Sequence, residues 1–81
     1  MFEKLQQLKQ LRDLQQKIKQ EKYDIEKNGV KLIMNGGLEI EEIRLNPELS
    51  QERQEQTLRE AHNELIKKVQ MAMAQQFRGM M

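Results

Sequence analysis

The fold of this chain is decided by residues 22–45, which read KYDIEKNGVKLIMNGGLEIEEIRL. Two Asn-Gly pairs separate three segments of alternating apolar and polar side chains, and Asn-Gly is the strongest short-range signal for a β-hairpin. We therefore predict a three-stranded antiparallel meander in which both turns are of type I′, with positive φ at the two central residues. The predicted strands span about residues 22–27, 30–35 and 38–45.

The alternation also predicts which side of the sheet is buried. The middle strand places three apolar residues on one face, namely Val30, Leu32 and Met34. Ile33 points to the other face, which indicates that this second face is partly covered as well. In the third strand Ile40 and Ile43 have opposite parity, so we predict either a β-bulge at Glu41-Glu42 or a change in which face of the strand is buried.

Helices are predicted on both sides of this segment. Residues 2–20 contain no Gly, Pro, Ser or Thr and favour a helix by propensity. Asn46-Pro47 ends the sheet, and Ser50 is a predicted N-cap for a second helix over about residues 51–77. The apolar stripe of that helix consists of Leu58, Ala61, Leu65, Ile66, Val69, Ala72, Met73 and Phe77. The predicted class is α+β, in a single domain over residues 1–81.

A second copy of the chain is needed to cover the leftover apolar surface. The first helix has apolar residues on one face between residues 2 and 8 and on a different face between residues 11 and 18. An 81-residue chain cannot bury both faces and a long second helix. We therefore predict a symmetric homodimer with projecting helices. The candidate interface residues are Leu11, Leu14, Ile18, Ile33, His62, Leu65 and Val69.

The inventory of reactive side chains argues against catalysis. The chain has no cysteine and one histidine, His62, and its hydroxyl groups are those of Tyr23, Ser50 and Thr57. Helix geometry separates Ser50 from His62 by about 18 Å and turns Thr57 about 140° away from it. No Gly-rich phosphate loop or His-rich metal spacing is present. We expect no catalytic residue, no metal, no cofactor and no small-molecule substrate.

Charge is distributed unevenly along the chain. The net charge is only +1, but residues 1–20 carry +3, residues 21–50 carry −3 and residues 51–81 carry +1. The positive charge therefore belongs to the first helix and the negative charge to the sheet. No apolar run approaches the roughly 20 residues that span a bilayer, and the polar N-terminus has no secretory signal, so we expect a cytoplasmic protein without a membrane partner.

Residues 30–49, VKLIMNGGLEIEEIRLNPEL, resemble the central segment of the YbaB/EbfC family of nucleoid-associated proteins. The shared features are a Val-Lys strand ending in Asn-Gly, a second strand, and Asn-Pro followed by an apolar residue, here Leu49. The Met-Phe start, the Ala-His-Asn element at residues 61–63 and the Gly/Met-rich end agree in order, so the resemblance covers essentially the whole chain. This sequence departs from the family in its short first hairpin and in Glu41 and Glu42, where basic residues are frequent.

The resemblance implies a dimeric bacterial protein that binds double-stranded DNA in the nucleoid and influences gene expression or nucleoid organisation, without catalysis or cofactor. DNA affinity depends on local phosphate neutralisation, so the positive first helix suits weak, salt-sensitive binding. The candidate phosphate contacts are Lys4, Lys9, Arg12, Lys17, Lys19, Lys67, Lys68 and Arg78.

Two alternatives stay open on the sequence. The Gln-rich amphipathic helices also resemble those of a prefoldin-type chaperone subunit, or of a protein-interaction module that does not bind DNA. The heptad register of the first helix, however, extends only over residues 11–18, which is short for a coiled-coil arm. The acidic sheet also permits a protein that keeps the family fold but not its DNA affinity.

Overall fold

The computed structural model describes residues 2–79, and the side chains of residues 2, 3, 77 and 79 lie outside that description, including Phe77 of the predicted stripe. The three strands form one antiparallel sheet in which their spatial order follows their order in the chain, and this confirms the predicted α+β class. The third strand is shorter than the predicted 38–45, and the second helix continues past residue 77. In chain order the elements are α1 (Phe2–Gln20), β1 (Lys22–Lys27), β2 (Val30–Asn35), β3 (Ile40–Arg44) and α2 (Gln51–Gly79).

The first hairpin turn has the conformation that its sequence predicts. Asn28 and Gly29 both have positive φ, at 50° and 83°, as a type I′ turn requires. A Cβ atom on Gly29 would lie 2.6 Å from Nδ2 of Asn46. The glycine is therefore required both by the backbone angle and by the side chain packed against it.

The second turn differs from the predicted type I′ geometry. The Asn35 amide donates to the Glu39 carbonyl at 2.9 Å and the Leu38 amide donates to the Asn35 carbonyl at 3.1 Å, which encloses a three-residue loop. Positive φ falls on Leu38, at 65°, and not on either glycine. Gly36 serves another purpose, because a Cβ there would overlap the backbone oxygen of Ile18. The missing side chain lets the end of α1 approach the sheet.

Of the two alternatives predicted for β3, the β-bulge is confirmed. Ile33 pairs with Glu42, but its neighbour Met34 pairs with Ile40, so Glu41 is the extra residue. Ile43 pairs with Leu32, and the bulge therefore turns Ile40 and Ile43 to the same face of the sheet.

The hydrophobic core lies between α2 and the first two strands. Its fully buried side chains are Val30, Leu32, Met34, Ala61, Leu65 and Val69. Tyr23 and Ile25 of β1 pack against it from the same face. Thr57 is 3% exposed and accepts a hydrogen bond at 3.4 Å from the side chain of Asn28. The sequence pattern did not predict a buried polar residue at this position.

The start of α2 is held by polar contacts. Ser50 Oγ accepts a hydrogen bond from the Arg53 amide at 3.2 Å, which confirms the predicted N-cap. The Asn46 amide donates to Gln54 Oε1 at 2.7 Å, and Nδ2 of Asn46 donates to the Asn28 carbonyl at 2.8 Å. These bonds tie the first hairpin turn to the first turns of α2.

The molecule is elongated because α1 leaves the core. Its principal extents are 59 × 20 × 14 Å, and its radius of gyration of 16.7 Å exceeds the ~12 Å expected of a compact chain of this length. The side chains of Leu5, Leu8 and Leu11 are 64%, 63% and 56% exposed. Leu14 and Ile18 are half-buried, so only the C-terminal end of α1 packs against the sheet.

Candidate nucleic-acid interface

Glu21 follows α1 directly and holds the C-terminal end of that helix, which we call the base of α1, against the rest of the chain. The backbone oxygen of Glu21 accepts a hydrogen bond from the Gly36 amide at 3.0 Å. Its carboxylate accepts bonds from the Tyr23 hydroxyl at 2.8 Å and from Gln76 Nε2 at 2.7 and 2.8 Å. Those bonds, aided by the charge of Lys17, hold the pKa of Glu21 below its usual range. The helix α1 therefore leaves the sheet beside the C-terminal end of α2.

The basic residues of α1 all face solvent. The exposed set is Lys4, Lys9, Arg12, Lys17 and Lys19. Among the described side chains, none of these five forms an ion pair with a carboxylate. At about 100° per residue, all except Lys17 fall within an arc of roughly 140°. The helix thus presents one broad basic side, and its charges are available to an anionic partner.

Three of the four basic residues of the sheet form ion pairs with acidic side chains of the same chain, and Lys31 forms none among the described residues. Lys22 lies 2.8 Å from Glu41, and Arg44 lies 3.0 Å from Glu42. Lys27 contacts Glu64 on α2, and that contact raises the pKa of the lysine. The sheet consequently offers little positive charge to a phosphate backbone.

The three basic candidates on α2 are exposed but occupy different positions. Lys68 donates a hydrogen bond to the Asp24 carbonyl at 3.1 Å, so part of its hydrogen-bonding capacity is used within the chain. Lys67 precedes it on the same turn of the helix. Arg78 lies near Gln76, at the end of α2 that meets the base of α1. The structure therefore places Arg78 near the C-terminal end of α1, and Lys67 and Lys68 nearer the middle of α2.

Two of the predicted dimer-interface residues are buried within their own chain. Leu65 and Val69 are 0% exposed because they pack against Leu32 and Met34 in the hydrophobic core. The remaining candidates keep accessible surface. Leu11 is exposed, and Leu14, Ile18, Ile33 and His62 are half-buried.

A groove between β3 and α2 was not anticipated from the sequence. It has a volume of about 350 Å³ and is lined by Leu32, Ile40, Ile43, Glu55, Leu58, Arg59 and His62. The groove exists because α2 covers β1 and β2 but leaves β3 bare, so that Ile40 and Ile43 stay 40% and 48% exposed. The parity change at the bulge was the signal that could have placed both isoleucines beside α2.

Within residues 2–79, no cluster of three or more histidine and carboxylate side chains is arranged to hold a metal ion. In the same part of the chain, neither helix combines the length and the apolar character that crossing a bilayer requires.

The fold and this interface define a small α–βββ–α protein with a projecting basic helix. The model of the YbaB/EbfC DNA-binding family matches residues 1–81, and the chain belongs to that family. Membership confirms the resemblance seen in the central segment and indicates a DNA-binding, nucleoid-associated class of protein. Comparison with curated proteins and with solved structures produced no match.

Proposed function

We propose that this protein is a non-enzymatic nucleoid-associated protein that binds duplex DNA as a homodimer, mainly through phosphate contacts from basic residues of α1. The observation that carries the proposal is the projection of α1 from the core with five exposed basic side chains that have no carboxylate partner among the described residues. Family membership supports DNA as the partner. Lys67, Lys68 and Arg78 of α2 are secondary contacts in this proposal.

The charge distribution favours an approach of DNA from the α1 end. Residues 1–20 carry +3 and residues 21–50 carry −3, so a phosphate backbone is attracted to the helix and repelled by the sheet. Lysine and arginine contacts to phosphate set position and affinity without reading the base sequence. We therefore expect binding that is weak, strongly salt-dependent and largely independent of sequence.

A homodimer makes this binding stronger without any new kind of contact. Two linked helices engage the same duplex, so the second contact forms at a high effective concentration. The exposed apolar residues of α1 and β3 support self-association, because a small monomer rarely leaves so many large apolar side chains in water. The role that follows is organisation of DNA in the cytoplasmic nucleoid or an influence on gene expression, with no cofactor.

The test is fluorescence anisotropy of a labelled random duplex, titrated with protein at several salt concentrations. The variant carries K9A, R12A and K19A on α1. The matched control carries K22A, K31A and R44A on the sheet, so both proteins lose the same net charge. The α1 variant should reduce the slope of log affinity against log salt by about 1 for each phosphate contact removed. The control should leave that slope nearly unchanged.

Two outcomes would contradict the proposal. Equal losses in the two variants would mean that net charge, and not α1, drives binding. Absence of binding even at low salt would remove DNA binding as the function and turn attention to protein partners, including a chaperone-like role. That last role has less support, because α1 and α2 do not pack along each other in the described part of the chain.

A further inference from the structure

We propose that Leu5 and Leu8 of α1 contact base pairs in the DNA major groove, where they pack against the C5-methyl groups of thymine. The inference rests on the DNA binding of the proposed function and names the bases that the same helix favours. The phosphate contacts leave binding largely independent of sequence, and the two leucines add a modest preference for A·T base pairs.

Leu5 and Leu8 lie among the basic residues of α1 and not on a separate apolar face. The basic residues that share one side of the helix are Lys4, Lys9, Arg12 and Lys19. At about 100° per residue, both leucines fall inside the arc of roughly 140° that these residues occupy. Asp13, the only acidic residue among residues 4–20, lies outside that arc. The two leucines therefore belong to a positively charged surface.

In the described part of the chain, Leu5 and Leu8 are left largely uncovered. Their side chains are 64% and 63% exposed, because only the C-terminal end of α1 packs against the sheet. The residues that line one continuous shallow depression along this surface are Leu5, Leu8, Lys9, Leu11, Arg12 and Gln15. An exposed apolar patch of this kind marks a site of contact with another molecule. Self-association through the exposed residues of β3 leaves this surface accessible, because it lies on the part of α1 that projects from the core.

The chemistry around the leucines favours duplex DNA as the partner. Pairing this surface with the same surface of a second copy would bring cations close together, which is unfavourable. Gln15 and Gln16 are exposed within the same arc, and their amides would lose hydrogen bonds in the acyl region of a lipid bilayer. In the major groove a glutamine amide pairs with N6 and N7 of adenine, and an apolar side chain packs against the methyl group of thymine. Membership of a DNA-binding family supports the same partner.

The dimensions of α1 fit the major groove. The groove is about 12 Å wide and admits an α-helix, whose diameter with side chains is about 10–12 Å. Residues 4–13 rise about 15 Å, which corresponds to about four base pairs of duplex. Leu5 and Leu8 are neighbours on the helix surface, so they reach methyl groups of adjacent base pairs. Lys4 and Lys9 lie at the two edges of the arc, where they meet the phosphates on either side of the groove.

The test uses two duplexes that differ only in methyl groups, namely an alternating A·T duplex and the same sequence with uracil in place of thymine. Wild-type protein should bind the thymine duplex more tightly by about fourfold for each methyl group contacted, because burial of one methyl group is worth that factor. The ratio of affinities should change little with salt, since both duplexes carry the same phosphates. Fluorescence anisotropy measures both affinities.

Two protein variants separate the leucines from the rest of the surface. The double variant L5A and L8A should lose the preference for thymine and keep the salt dependence of binding, because its basic residues are unchanged. Alanine favours the helix, so α1 stays formed. The matched control is M71A on α2, which shortens an apolar side chain that is 66% exposed and should keep the wild-type preference.

The outcomes separate this inference from the proposed function. Equal affinities of the wild-type protein for the two duplexes overturn the methyl contact and leave DNA binding in place. A preference for thymine that survives in the double leucine variant overturns the assignment to Leu5 and Leu8. Absence of wild-type binding to both duplexes at low salt removes the proposed function and this inference together. Equal duplex affinities, combined with binding to phosphatidylglycerol vesicles that the leucine variant loses, identify the surface as lipid-binding and overturn the inference.

Discussion

The two helices of this protein have similar polar compositions but opposite relations to the core. In α2, Ala61, Leu65 and Val69 recur at helical spacing and are completely buried. In α1, Leu5 and Leu8 have the same chemistry but are more than 60% exposed. The difference teaches that apolar content alone does not decide burial. A continuous stripe allows α2 to lie along the sheet, whereas a stripe that winds around α1 lets only its C-terminal end touch the sheet.

The largest expected effect comes from removing a core side chain of α2. Leu65→Ala should lower the free energy of unfolding by about 2–5 kcal/mol, because the site is fully buried and leaves a cavity. Leu8→Ala on α1 should change it by less than about 0.5 kcal/mol. Urea unfolding of both variants measures the contrast. A similar loss of stability in Leu65→Ala and Leu8→Ala would mean that Leu8 is buried in solution by contact with another molecule. The two helices would then not differ in the burial of their apolar side chains.

The next effect concerns the point where α1 meets the sheet. Gly36→Ala should cost about 1–3 kcal/mol, because the added Cβ would overlap the backbone oxygen of Ile18 and backbone cannot move aside cheaply. Gly37→Ala is the control, since its Cβ meets only side-chain atoms at 3.2 Å or more, and it should stay within about 1 kcal/mol of wild type. If Gly36→Ala and Gly37→Ala have equal stabilities in thermal unfolding, the end of α1 does not pack closely against Gly36.

A smaller loss is expected at the start of α2. Ser50→Ala removes the side chain that accepts the Arg53 amide and should cost about 1 kcal/mol. Ser50→Gly should cost only a few tenths, because glycine leaves the amide open to water. Urea unfolding of both variants measures the two losses, and an unchanged stability in Ser50→Ala would mean that the cap contributes little and that packing alone holds α2.

The smallest effect is a pH dependence at the base of α1. The hydrogen bonds to Glu21 lower its pKa in the folded state, so their contribution to stability is present above the unfolded pKa of about 4.3 and is lost as the pH falls through the lowered value. Tyr23→Phe should raise the pKa of Glu21 toward its usual value, measured by NMR titration of the carboxyl carbon. The stability difference between this variant and wild type should shrink on acidification. A pKa that does not move would mean that Tyr23 does not hold the carboxylate.

Local signals predicted the parts of the fold in which neighbouring residues carry the information. Asn28-Gly29 predicted its turn because positive φ at two successive residues is tolerated by few residue pairs. The parity change between Ile40 and Ile43 predicted the bulge, and Ser50 predicted the cap. These predictions needed only backbone conformation and side-chain periodicity.

Other predictions failed where two distant segments meet. The second turn resembles the first in sequence, but positive φ falls on Leu38 and not on a glycine. Gly36 is needed because a side chain there would overlap the backbone oxygen of Ile18. The apolar stripe of α2 could be recognised from the sequence, but the sequence did not show that Leu65 and Val69 in it pack against β2 of the same chain. The groove beside β3 depends on how far α2 reaches across the sheet, which the sequence does not specify.

The sequence by itself determined the order of the elements, the face of α2 that is buried, the first turn, the bulge and the segregation of positive charge onto α1. Each of these follows from residues close together in the chain. Only the tertiary structure decided that α2 covers two strands and leaves β3 open, that α1 projects with its basic residues exposed, and that Glu21 fixes its base. The physical reason is that burial and access depend on contacts between residues such as Glu21 and Gln76, whose separation along the chain carries no local signal.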